Sequence, residues 1–193
     1  MVSMRFVSRS GRVLAAITAA VLGLAAATSL SPFDVGALLR VLAVVGFGCT
    51  VLYVAFWRPS LDVGDNGVTV RNLVSTHHIE WGAIARIDTK WGLTLVTDRR
   101  TVSVWAAPAP GRHAALLASR DQGTHLPEST YLAGTVRPGD LVTSESGGAA
   151  AVVRREWERR HADAGGRDDR HISAPLVVAL GVLGTAAAAA LFL

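Results

Sequence analysis

The imidazole and thiol side chains of this 193-residue chain, first candidates for metal ligation or nucleophilic attack, are few: six histidines (77, 78, 113, 125, 161 and 171) and the single Cys49. His77 and His78 adjoin in an alternating apolar–polar segment, so they point to opposite faces and cannot close on one ion. His77 shares its face with Ile79 and Trp81 and reads as a histidine satisfied within a core. One cysteine excludes a disulfide framework and a Cys-based zinc site, and Cys49 lies in an apolar run. Asp62, Asp65, Glu80, Asp88 and Asp98 stand singly among alternating residues, so paired-carboxylate catalysis has no candidates. No HExxH, Gly-rich phosphate loop or nucleophile elbow is present. The expectation is a protein without enzymatic activity, cofactor or metal.

Basic residues are the remaining chemistry. Lys90, Arg99 and Arg100 lie at strand ends and a turn, where they are candidates for contact with anionic headgroups; the plainer alternative is a solvated turn. From Arg58 to Ala107 there are six basic and five acidic residues, a balance that does not build a phosphoinositide pocket. Arg154, Arg155, Trp157, Arg159 and Arg160 allow two readings. They fit an interfacial helix with Trp157 dipping into the headgroups, or a helix packed on a sheet through Val153 and Trp157, since Glu156, Glu158 and Asp163 cancel much of the positive field. A net charge of +4 from 19 basic and 15 acidic groups spread along the chain argues against nucleic-acid binding.

The elements that would position these residues follow from hydropathy. Half of the residues are apolar, 18% are charged and mean hydropathy is +0.36. The apolar residues are segregated at the two ends, which predicts membrane spans and excludes disorder. A basic N-terminus (1–12) leads into a first span at 13–30, a turn at 31–37 and a second span at 38–57 that ends in Tyr53, Phe56 and Trp57. A third span covers 174–193. Ser31-Pro32-Phe33-Asp34 makes the turn, and Asp34 is placed to cap the second helix. Arg5, Arg9, Arg12, Arg58, Arg167 and Arg170 flank the spans on one side and Asp34 lies on the other. This predicts a multi-pass protein of the cell inner (plasma) membrane, with the N-terminus and central region cytoplasmic and the turn external. Arg40, in the first turn of the second span, would snorkel. Arg5–Arg12 followed by an apolar core and Ala25-Ala26-Ala27 also fits a cleaved signal peptide. Small residues four apart (Ala19, Gly23 and Ala27; Gly184 and Ala188) suit helix packing within the chain or self-association.

From Ser60 the pattern alternates. Leu61 and Val63, Val68 and Val70, Ile79 and Trp81, Ile84, Leu93 and Leu95, and Val102 and Val104 are the expected core of six short strands within 58–107. Asp65-Asn66-Gly67 marks a two-residue hairpin, and the apolar phase slips between Ile84 and Ile87, as at a bulge. Residues 108–148 form a Gly/Pro/Ser-rich insertion, in which Arg112–Ser119 reads as a short helix and Tyr131–Val136 as an extra strand. A capping or interfacial helix follows at 149–164, then a linker at 165–173.

The segments "LDVGDNGVTVRN", "HHIEWGAIARI" and "GLTLVTDRRTVSVWA", entered from an aromatic-Arg-Pro helix end, resemble the bacterial pleckstrin-homology-like (PH-like) domains of small actinobacterial membrane proteins. The resemblance covers about a quarter of the chain. It implies a small, bent all-β barrel of about six to seven antiparallel strands plus a C-terminal helix, and no reaction. The fold class expected is therefore a multi-pass α-helical membrane protein carrying this barrel. The function expected is that of a membrane-tethered binding or scaffold module with a protein partner. The alternatives are an accessory subunit of a membrane enzyme or transport complex, and a sensor of anionic lipid.

Overall fold

A computed structural model describes residues 4–28, 34–108, 145–160 and 166–192. The helices are α1 (Arg9–Thr28), α2 (Val35–Leu52), α3 (Glu145–Arg160) and α4 (Ala174–Phe192). The strands are β1 (Met4–Phe6), β2 (Ser60–Val63), β3 (Gly67–Arg71), β4 (Ser75–Glu80), β5 (Ile84–Asp88), β6 (Gly92–Thr97), β7 (Thr101–Pro108) and β8 (Asp168–Ile172). The described residues divide into a β-rich unit and a unit of apolar helices. The short helix and extra strand expected within 108–148 lie outside the described residues.

In the helical unit, α1, α2 with the π-turn Tyr53–Trp57 that continues it, and α4 are each long and apolar enough to cross a membrane. Helix α1 starts upstream of the apolar run, so Arg9 and Arg12 fall within it. The Arg12 guanidinium lies 5.7 Å from the centre of the Trp57 ring and donates to the Trp57 carbonyl at 3.4 Å. Asp34 caps α2: its Oδ2 accepts from the Ala37 N–H at 2.9 Å. That bond and a second from Gly36 hold its carboxyl below the usual range. Past Trp57 the Arg58 N–H closes on the Tyr53 carbonyl at 3.0 Å and Pro59 ends the helix. Gly184 of α4 meets Phe47 of α2, where a Cβ would approach the ring to 3.2 Å; a Cβ on Gly23 would meet nothing. Gly184 is thus consumed in packing within the chain.

The β-rich unit holds eight strands among the described residues, in two sheets of order β1-β2-β3-β4-β8 and β5-β6-β7. The six-strand run read from alternation is present as β2–β7. Two further strands come from outside it, from the basic N-terminus and from the segment before α4. The first hairpin pairs Val63 with Val68 and is closed by the Gly64 N–H on the Gly67 carbonyl at 2.9 Å. Its loop is therefore the two residues Asp65-Asn66, the length expected, with Gly67 already opposite Gly64. The β5–β6 register slips between Ile84 and Arg86, where the phase change placed a bulge. Strand β4 stops at Glu80, and Trp81 turns inward in a 3₁₀ turn with its indole N–H on the Asp65 carbonyl at 3.1 Å.

All eleven residues expected in the core (Leu61, Val63, Val68, Val70, Ile79, Trp81, Ile84, Leu93, Leu95, Val102 and Val104) lie in one buried cluster. Helix α3 completes it with Ala149, Ala150 and Val153, all fully buried. Burial of a leucine such as Leu61 or Leu95 contributes about 2–3 kcal/mol. The helix begins four residues before the Gly-free stretch. Gly147 is buried and Gly148 half-buried, so packing outweighs their poor helix propensity.

Gly67 pairs with Glu80 across the β3–β4 ladder, and a Cβ there would collide with the Ile79 carbonyl oxygen. Gly67→Ala is expected to destabilise the β-rich unit by about 2–3 kcal/mol, read as a lower midpoint in thermal unfolding of the full chain in detergent.

Candidate binding surfaces

The basic residues singled out in the sequence do not converge. Lys90 precedes β6, whereas Arg99 and Arg100 follow it. Six strand residues separate them, about 20 Å at the usual rise. Arg99 is exposed at the β6–β7 turn. Arg100 is held by a buried carboxylate: its Nε lies 3.0 Å from Asp168 Oδ2, which also accepts from the Thr97 hydroxyl at 2.8 Å. This clasp ties the turn of the three-stranded sheet to β8, the edge of the other. Asp168, in what the sequence presents as a linker, was not anticipated; no local pattern marks a charged residue for burial when its partners lie some seventy positions away.

His77 lies beside the clasp and is buried, while His78 is exposed with its Nδ1 3.0 Å from the Thr69 hydroxyl. Burial pushes the His77 pKa down from 6.5, helped by Arg170 and Arg100 and opposed by Asp168. A histidine with a lowered folded pKa binds fewer protons folded than unfolded, so stability is full above 6.5 and falls with pH below it.

On α3, Trp157 packs against the core and donates its indole N–H to the Ile84 carbonyl at 2.9 Å, and Arg154 reaches the Thr89 hydroxyl at 3.3 Å. Arg160 bonds the Asp65 carbonyl, pairs with the Asp65 carboxylate at 3.2 Å and with Glu156 at 3.3 Å. Arg155 and Arg159 face solvent. Of the five residues that fitted an interfacial helix, three are thus engaged with the sheets, including the tryptophan that would have to enter the headgroups.

Sequence reading passed over a second surface. The Gly92–Pro108 and Thr94–Ser103 pairs of the β6–β7 ladder enclose one residue on β6, Leu93, and four on β7, Val104–Ala107. This mismatch opens the sheet, and a groove of about 290 Å³ lies there, flanked by Trp91 and Trp105. Trp91 is 83% exposed and Trp105 55%. Lys90 Nζ sits 5.7 Å from the centre of the Trp91 ring. Asn72 caps the outer edge of β7, its amide donating to the Ser103 carbonyl at 2.8 Å and its carbonyl accepting from the Trp105 N–H at 3.1 Å. The inward phase of Val102 and Val104 already requires Trp105 to face outward. Among the described residues no group of three His, Cys, Asp or Glu converges on a metal position.

Residues 58–140 match the family model of the bacterial PH domain, a span that includes β2–β7 and takes in less than half of the chain. No curated protein matches the chain, and no solved structure does.

Two outcomes follow. Thermal midpoints of the full chain should fall as pH is lowered from 7.5 towards 5.5, and the His77→Gln variant should lose most of that slope. Asp168→Ala removes the carboxylate that pairs with Arg100 and accepts from Thr97, leaving the Thr97 hydroxyl only the Arg100 carbonyl at 3.2 Å. It should cost about 2–3 kcal/mol, below the usual figure for a broken buried pair because Arg100 keeps about a third of its exposure. Hydrogen exchange should quicken first in 168–172.

Proposed function

We propose that the chain is a multi-pass inner-membrane protein whose PH-like module is held on the cytoplasmic face as a non-catalytic binding scaffold for another protein. One observation carries this reading. The two edge strands of the five-stranded sheet, β1 and β8, are the segments that run into α1 and α4, and the strand beside β1 is the continuation of α2. Antiparallel pairs cannot form across a hydrocarbon layer. If the three apolar helices span, residues 4–6, 60–108 and 168–172 therefore share one side. Arg5, Arg9, Arg12, Arg58, Arg167 and Arg170 near the helix ends favour the cytoplasm for that side.

A module joined to three helices through connections of one or two residues has no freedom to search for a distant target, which suits a scaffold that presents a fixed face. The larger sheet ends in β1 and β8, of three and five residues and both carrying charge, which makes its edges poor templates for strand addition. The face left for a partner is the exposed side of α3 with Arg155 and Arg159, together with Arg99 at the β6–β7 turn.

The test is photo-crosslinking in cells from Arg99, Arg155 and Arg159, each replaced singly by a photoreactive residue in the full chain. The expected result is one product of the same mass from at least two positions. Smears or lipid adducts alone from all three would refute a protein partner. Labelling of Asn66→Cys in a Cys49→Ala background by an impermeant maleimide added to intact cells would refute the cytoplasmic placement.

A further inference from the structure

Resting on the reading that the helices span a bilayer, we infer that the Trp91–Trp105 groove with Lys90 is a second membrane contact, seated in the headgroup layer of the bilayer that holds the helices.

The inference comes from which end of the β-rich unit carries which residues. The end of β1 at Phe6 pairs with Leu61 at the start of β2, and Ser60 pairs with Arg71 at the end of β3. Strand β8 runs against β4: the Glu80 N–H meets the Arg167 carbonyl, and the Ser173 N–H meets the Val74 carbonyl at 2.9 Å. All three connections to the apolar helices therefore leave from one end of the sheet, the end that bears the β3–β4 turn. Asn72 in that turn bonds both Ser103 and Trp105. The groove consequently lies at the end of the β-rich unit that bears these connections. The Asp168–Arg100 clasp and Arg99 mark the opposite end.

The chemistry of the near end suits a headgroup layer. Two largely exposed tryptophans flank a groove, and indoles partition to the level where an apolar ring and a polar N–H are both accommodated. Lys90 adds a cation beside Trp91. Arg5 and Arg71, both about half-exposed, share the single carboxylate of Asp62 at 3.6 and 3.5 Å, and Asp88 accepts from the Lys90 N–H at 2.9 Å, so three cations against two carboxylates leave this end net basic towards anionic lipid. At the far end, among the described residues, Arg100 is already paired and Arg99 is exposed with no exposed tryptophan beside it.

The experiment uses the full chain reconstituted in vesicles of phosphatidylcholine and phosphatidylglycerol, with and without bromine on the acyl chains near the glycerol. Subtracting the emission of the Trp91→Phe/Trp105→Phe variant from that of the wild type isolates the two indoles. Both side chains are exposed, so the variant keeps the core; its unchanged thermal midpoint checks this, and the two single variants serve if it shifts. The expected difference spectrum is blue-shifted, loses intensity in brominated vesicles and resists iodide. A red-shifted difference spectrum, quenched by iodide and indifferent to bromine, would overturn the inference in favour of a solvated groove. A spectrum insensitive to both quenchers would overturn it in favour of protein cover. The Trp57→Phe difference separates these failures from failure of the spanning reading. Trp57 ends α2, so bromolipid must quench it if the helices are inserted, whatever Trp91 and Trp105 do.

Discussion

The arrangement depends on how the larger sheet finishes its edges. A strand at an edge exposes a row of unpaired amides and carbonyls, and proteins cover such rows or blunt them. Here the central strands β2–β4 are flanked by short edge strands from the chain itself, the three residues of β1 ahead of the first apolar helix and the five of β8 ahead of the last. Each is too short and too polar to be stable apart from the sheet. Leu61, Val70 and Ile79 form the core on which these strands depend. Completing the sheet this way makes its folding depend on both ends of the sequence. Residues from both ends of the sequence must lie beside β2–β4 before the sheet is complete.

Polar contacts then tie the two sheets to each other and to α3. Thr97, Arg100 and Asp168 fix the β6–β7 turn to β8. Trp81 and Arg160 both bond the Asp65 carbonyl, so the first hairpin holds a core tryptophan and a helix end at one atom. Trp157 takes the carbonyl of Ile84 at the start of β5. These contacts join residues from 16 to 95 positions apart, and those of Asp168, Trp81 and Trp157 satisfy polar groups that would otherwise be costly to bury.

What could be read in advance followed from period and composition. Alternation at Leu61–Val63, Val68–Val70 and Val102–Val104 located the strands and the core because burial of one face is a local, two-residue rhythm. Uninterrupted apolar runs located the helices for the same reason, and Asp34 was identifiable as a cap from its place before Val35. The edge strands were not legible. Met4–Phe6 is too short to show a rhythm, and Asp168–Ile172 carries two aspartates and an arginine, as edge strands often do. The Trp91–Trp105 groove escaped because it depends on a ladder mismatch, one residue against four, that neither strand reveals alone. Trp105 could have been assigned outward from its phase; that Trp91 lies across the same opening could not.

Ser173 belongs to two elements at once. Its N–H ends the β-ladder on Val74, and its carbonyl accepts from Leu176 and Val177 in the first turn of α4. One residue thus closes the ladder with its donor and opens the helix with its acceptor, so the passage from strand to helix leaves neither polar backbone group of Ser173 without a partner.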